Sequence, residues 1–95
     1  MFRLRLDKNQ IRRELRTVKG WTLRGKRISR LFVFDDFMQG IRFLNHVARF
    51  AEDMYHHPDV SINYNKVRLS LTTHDEGGLT RKDFRLARKI NRLTK

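Results

Sequence analysis

The chain of 95 residues contains no cysteine, a single proline (Pro58) and a single tryptophan (Trp21). Without cysteine there is no disulfide framework, no zinc ribbon and no thiol chemistry. Long apolar stretches are also missing. The longest uninterrupted run is Leu31, Phe32, Val33 and Phe34, far short of a membrane span or the core of an export signal. A membrane partner is therefore not expected, and the cytoplasm is the default location. No Gly-rich loop followed by lysine offers a phosphate cradle, and no serine-centred nucleophile motif is present. Internal repeats, low-complexity tracts and Pro/Ser-rich linkers are absent too, so residues 1–95 read as one domain.

Acidic residues are scarce beside basic ones: 10 Asp and Glu face 22 Lys and Arg, for a formal charge of +12. Small soluble domains usually carry a charge of magnitude roughly 2–8, so anionic partners such as nucleic acid or an acidic protein come into consideration. The excess is uneven. Residues 1–30 sum to +9, residues 31–65 to −3 and residues 66–95 to +6. A mildly acidic middle third thus lies between two cationic flanks. At 39% hydrophobic residues the chain has material for a core, and disorder is not expected. A monomer of this length buries only about 60–65% of its unfolded surface, which makes self-association a natural supplement.

Local signals give the element order. Asp7 with Gln10 has helix-capping spacing, and Ile11, Leu15 and Val18 follow at helical intervals before Gly20. Trp21 to Arg24, then Gly25-Lys26, then the β-branched and aromatic stretch from Ile28 to Phe34 read as a hairpin. Asp35 or Asp36 caps a second helix bearing Phe37, Ile41, Leu44, Val47, Ala48, Ala51 and Met54, which must end before Pro58. Beyond it the apolar period falls to two. Val60, Ile62 and Tyr64 fall on even positions, whereas Val67, Leu69 and Leu71 fall on odd ones. One regular strand cannot change parity without turning every side chain over, so a turn at Asn65-Lys66 makes a second hairpin, with Tyr64 counted in the core. Thr80 and Asp83 have capping-box spacing ahead of a last helix with Leu86, Ala87, Ile90 and Leu93 on one side. The expectation is an α+β fold in the order α-β-β-α-β-β-α: a four-stranded antiparallel sheet with three helices packed on one face.

Three of the four histidines bracket the second hairpin. An antiparallel hairpin returns its second strand to the start of its first, which brings His74 beside the turn His56-His57-Pro58. Strand alternation sets His74 on the polar face with Arg68, Ser70 and Thr72. Imidazole titrates between pH 5 and 8, which suits general acid and base work. Three solvated surface histidines, or a three-histidine metal site, are the competing readings. Adjacent histidines ligate one metal only with an awkward backbone, and no carboxylate is obviously placed as a supporting partner. His46 reads as a helix surface residue, and Trp21 as core packing in preference to ligand stacking.

Glu52-Asp53-Met54-Tyr55-His56-His57-Pro58, continued by Tyr64-Asn65-Lys66-Val67, Thr72-Thr73-His74, Gly78-Leu79-Thr80 and Asp83, resembles the pterin-4a-carbinolamine dehydratase family. Its animal members double as a dimerization cofactor of a homeodomain transcription factor. The resemblance also takes in Gly20-Trp21 and the helix entry at Phe34 to Phe37; the first twenty residues match least. It implies dehydration of 4a-hydroxytetrahydropterin to quinonoid dihydropterin, in tetrahydrobiopterin recycling after aromatic amino acid hydroxylation, with no metal and no organic cofactor. By the same resemblance His56, His57 and His74 are the catalytic set, with His57 the principal acid/base. Pro58 shapes the pocket, and Thr73, His74, Asp75 and Glu76 contact the substrate edge. Asp83 assists from the last helix, Trp21 flanks the ring, and the assembly is a homo-oligomer, a dimer or tetramer. Animal members carry an acidic residue where Tyr55 stands and an aromatic where Val60 stands. The alternative is a non-catalytic cationic module on the same fold, binding nucleic acid or a protein. The intact histidine set argues against it, as does the lack of an exposed ring pair beside Arg68, Ser70 and Thr72.

Overall fold

The computed structural model describes residues 4–94. Helix α1 (Lys8–Leu15) leads to strands β1 (Thr22–Arg24) and β2 (Arg27–Val33), then helix α2 (Phe37–Met54). Strands β3 (Asp59–Asn63) and β4 (Lys66–Leu71), a short 3-10 turn (His74–Glu76) and helix α3 (Arg81–Asn91) complete the expected order. All pairings are antiparallel, and the spatial order β1-β2-β4-β3 joins the two hairpins through β2 and β4.

Side-chain alternation and this register together decide where the core lies. Ile28 stands opposite Leu71 and Phe32 opposite Val67, so the fully or nearly buried residues of the two central strands share one face. The helices cover that face. Phe43, Val47 and Ala51 come down from α2, and Phe84, Leu86, Ala87 and Ile90 from α3. Ile11 and Leu15 of α1 pack at the margin of the same cluster. Gly40 lets α2 approach the sheet, since a Cβ there would stand 3.3 Å from Val67 Cγ2. The other sheet face is open and carries Thr22, Arg24, Leu31, Val33, Lys66 and Arg68.

The expected caps form. Asp7 and Gln10 make a reciprocal capping box on α1, and Asp36 accepts the Gln39 amide at the start of α2. Each cap is worth about 1 kcal/mol. Two local expectations are overturned. Tyr64 is not in the core: it is 63% exposed at φ +52°, the first residue of the two-residue turn between Asn63 and Lys66. Tight hairpin loops need a positive φ, so the tyrosine leaves the strand before its apolar parity can count. His74 does not extend β4 either. The strand ends at Leu71, and Thr73 pairs with Gly78 (Thr73 N to Gly78 O, 3.0 Å), closing a loop that holds His74 in the 3-10 turn.

Arg30 is a polar intrusion that alternation does not announce, because it shares the core-facing side of β2 with Ile28 and Phe32. Its guanidinium donates to Lys19 O (3.0 Å) and Asn91 Oδ1 (2.6 Å) and lies 4.4 Å over the Phe32 ring. Partial burial pushes its pKa below the usual arginine value, because leaving water disfavours the charged form.

Candidate active site

The end of α2 shapes the histidine turn. Tyr55 takes a left-handed conformation (φ 50°, ψ 40°), and the next amide, that of His56, bonds back to Ala51 O at 3.0 Å. Without a glycine this costs about 1–2 kcal/mol, but it sends two consecutive imidazoles in different directions. His56 turns inward and is buried; His57 folds back over the last turn of α2.

Each imidazole meets a carboxylate. His56 Nε2 lies 2.5 Å from Asp83 Oδ1. Asp83 has no solvent exposure, and its other oxygen accepts from Thr73 Oγ1 and from the Thr80 backbone N–H, both at 2.9 Å. The carboxylate therefore gathers three donors from three segments: the exit of α2, the chain just after β4 and the start of α3. The Thr80 bond is half of the capping box foreseen from sequence, so one side chain both starts α3 and anchors His56. His57 Nε2 lies 2.5 Å from Glu52 Oε2, one turn back on α2, and this pair is open to solvent. Wherever the carboxylate is ionised it only accepts, so Nε2 then carries the proton and Nδ1 is the nitrogen left to exchange one.

His56, His57 and His74 border a single cleft of about 250 Å³, with Tyr55, Thr72, Thr73, Asp75 and Lys82. Among the described residues no three His, Asp or Glu side chains are grouped so as to hold a metal ion. The chemistry on offer is proton transfer at three imidazoles around a space the size of a small heterocycle.

Residues 4–93 match the family model described as Pterin 4 alpha carbinolamine dehydratase. The chain belongs to the pterin-4a-carbinolamine dehydratase family. A relative from Sulfurisphaera tokodaii, provisionally named pterin-4-alpha-carbinolamine dehydratase, is 51% identical over 89 residues, 94% of this chain and 96% of the relative. One of the same name from Sulfolobus acidocaldarius is 41% identical over 90 residues, 95% of this chain and 99% of its own length. Among solved structures, the transcriptional coactivator/pterin dehydratase of Brucella melitensis superposes with a TM-score of 0.92 at 36% identity. That match covers 96% of this chain and 99% of the other.

Of the residues that likeness to the dehydratase family singles out, His56, His57, Thr73, His74 and Asp75 line the cleft. Asp83 stands behind it, in contact with His56. Pro58 lines an apolar groove between α2 and β3 that Glu52 and His57 also border, and Glu76 lies outside the cleft lining. Trp21 is elsewhere: buried, edge-on to Phe32, its indole N–H donating to Asn91 Oδ1 at 2.8 Å. Sequence reasoning missed the partnership of Glu52 with His57, as well as Tyr55, Thr72 and Lys82 in the cleft wall. The five-residue step from Glu52 to His57 was the available signal, but it works only because Tyr55 reverses the chain between them.

Proposed function

We propose that the protein is a hydro-lyase acting on 4a-hydroxytetrahydropterin, releasing water and quinonoid dihydropterin. The carrying observation is the convergence of three histidines on one cleft, two of them held by carboxylates, in a chain of this family. The reaction moves two protons and no net electrons. A protonated imidazole delivers its proton to the 4a-hydroxyl, the C4a–O bond breaks with its electron pair leaving on water, and a neutral imidazole takes the proton from the ring nitrogen. Nothing in that balance calls for a metal or an organic cofactor. His57 is the principal acid/base, because its ring is exposed in the cleft wall with Nε2 held by Glu52. His74 borders the same cleft from the 3-10 turn, and His56, pinned by Asp83, contributes a fixed edge. Positioned acid/base groups give about 10²–10⁴-fold, enough for an intermediate that already loses water slowly. The substrate would come from an aromatic amino acid hydroxylase, in tetrahydrobiopterin recycling, within the cytoplasm.

A homo-oligomer fits the same reading. Leu44, Val47, Ala48, Ala51, Pro58 and Val60 line the apolar groove between α2 and β3, and Phe37 and Met38 are also exposed on α2. A second role in binding is supported by the coactivator in the Brucella protein's description and by the charge of +12. Nucleic-acid affinity falling steeply with salt would support it, and flat binding would reject it. The dehydratase reading is tested by stopped-flow dehydration of freshly generated carbinolamine. Acceleration at catalytic protein concentration is expected; an unchanged spontaneous rate would overturn it.

A further inference from the structure

The chain reversal at the end of α2 places a tyrosine where the backbone disfavours one. Tyr55 caps the helix in the left-handed region (φ 50°, ψ 40°), its amide held by Ala51 O and Glu52 O. Glycine makes such a cap without strain, and asparagine with little. The side chain contributes little to the fold. It is 87% exposed, the highest value among the exposed large hydrophobic residues described, and its ring stacks on no other described aromatic side chain. Strain retained at such a position points to a local task.

The place of the ring supplies that task. Tyr55 borders the histidine cleft together with His56, His57 and His74. Apart from the imidazoles, every other lining side chain is a threonine, an aspartate or a lysine, so Tyr55 is the one broad apolar surface in the wall. A flat bicyclic heterocycle has faces to cover, and pockets for such ligands are ordinarily lined by apolar and aromatic side chains. A phenol ring covers a face with few side-chain torsions to immobilise, here on a Cα–Cβ bond already fixed by the helix cap. Tyr64 separates strain from place. It has a similar φ (52°) and is 63% exposed, but it lies between β3 and β4, at the other end of the second hairpin from the histidines.

We propose that Tyr55 is a substrate-binding residue whose ring stacks on the face of the pterin held in the histidine cleft. The identity of that ligand rests on the dehydratase reading.

The test titrates 7,8-dihydropterin, a flat analogue, by its fluorescence. Tyr55→Gly and Tyr55→Asn keep the left-handed cap without the ring and should bind about tenfold more weakly, the size of loss that removing a stacked ring gives. Tyr55→Phe keeps the ring and should bind within about twofold of wild type. Tyr64→Asn, relieved of similar strain away from the cleft, should bind as wild type does. Urea midpoints of the two ringless variants should equal or exceed that of wild type, so that lost affinity is not lost fold. In stopped-flow dehydration both should raise KM about tenfold and change kcat by less than about threefold, because the imidazoles remain.

Unchanged affinity in folded Tyr55→Gly and Tyr55→Asn would overturn the proposal. A loss in Tyr55→Gly alone would do the same, tracing the effect to a loosened histidine turn. So would a loss in Tyr55→Phe as large as that in Tyr55→Asn, or a fall in kcat at unchanged KM. Acceleration of dehydration with no dependence on the ring refutes the stacking alone. Ring-dependent binding without acceleration by wild type refutes the dehydratase reading and leaves Tyr55 as a pterin contact. A wild type that neither binds dihydropterin nor accelerates dehydration overturns both.

Discussion

Removing the Asp83 carboxylate disturbs three segments at once. In Asp83→Ala, His56 Nε2, Thr73 Oγ1 and the Thr80 N–H all lose their acceptor at a position with no access to water. A buried donor left unsatisfied costs about 1–3 kcal/mol, and the start of α3 loses a cap worth about 1 kcal/mol. Thr73 regains part of this from its hydroxyl contact with Thr80, at 2.8 Å. The net expectation is a loss of about 3–5 kcal/mol, the range seen when one partner of a buried pair is deleted. In a domain of this size that lowers Tm by roughly 15–30 °C. Asp83→Asn keeps the shape and one acceptor oxygen, so it should lose only about 1–3 kcal/mol and remain folded for measurement. Urea melts of Asp83→Asn, His56→Gln and the double variant should give a coupling of about 1 kcal/mol or more. A loss under about 0.5 kcal/mol in Asp83→Ala, or strict additivity in the cycle, would refute the idea that this carboxylate holds His56 in place.

The second histidine pair predicts the opposite sensitivity. Glu52→Gln acts on a solvent-screened contact, so it should change stability by less than about 1 kcal/mol and show itself in kcat; an unfolded variant would contradict this. Tyr55→Gly relieves the left-handed strain at the end of α2 and should stabilise the fold by about 1 kcal/mol. A raised urea midpoint checks it, and a lowered one would show that the exposed tyrosine ring packs on something. Trp21→Phe loses the bond to Asn91 at about 1 kcal/mol and should leave KM untouched. A tenfold rise in KM would return Trp21 to the substrate.

The cap residues and the change of parity announced most of the architecture. Asp7 with Gln10 and Thr80 with Asp83 have fixed spacings because the backbone of a first helical turn is always the same. Even-to-odd switching between Ile62 and Val67 has no solution except a turn. Hairpin closure sets the end of β4 beside the turn at His56 and His57, and His74 borders the same cleft from the 3-10 turn that follows the strand. What stayed hidden depends on single backbone reversals and on contacts between distant segments. Tyr64 and Tyr55 both adopt positive φ, and nothing in a tyrosine signals that. Asp83 was legible as a capping residue but not as the buried partner of His56, because that pairing spans 27 positions. Arg30 broke the alternation of β2 for the same reason, its acceptors lying at Lys19 and Asn91.

The charge of +12 is distributed accordingly. The cations of α1 at Arg12, Arg13 and Arg16 are exposed on the helix surface, whereas Lys82 borders the histidine cleft. The excess as a whole is therefore a weaker guide to chemistry than the position of one lysine.

The central claim is that His57 moves a proton in the dehydration of 4a-hydroxytetrahydropterin. Its side chain is exposed and bonds only to Glu52 among the described residues, so His57→Ala should fold normally, with an unchanged urea midpoint within about 0.5 kcal/mol. Stopped-flow traces of freshly generated carbinolamine should then show the wild-type acceleration cut by about 10²-fold or more in the variant. Dehydration by folded His57→Ala at the wild-type rate would contradict the account.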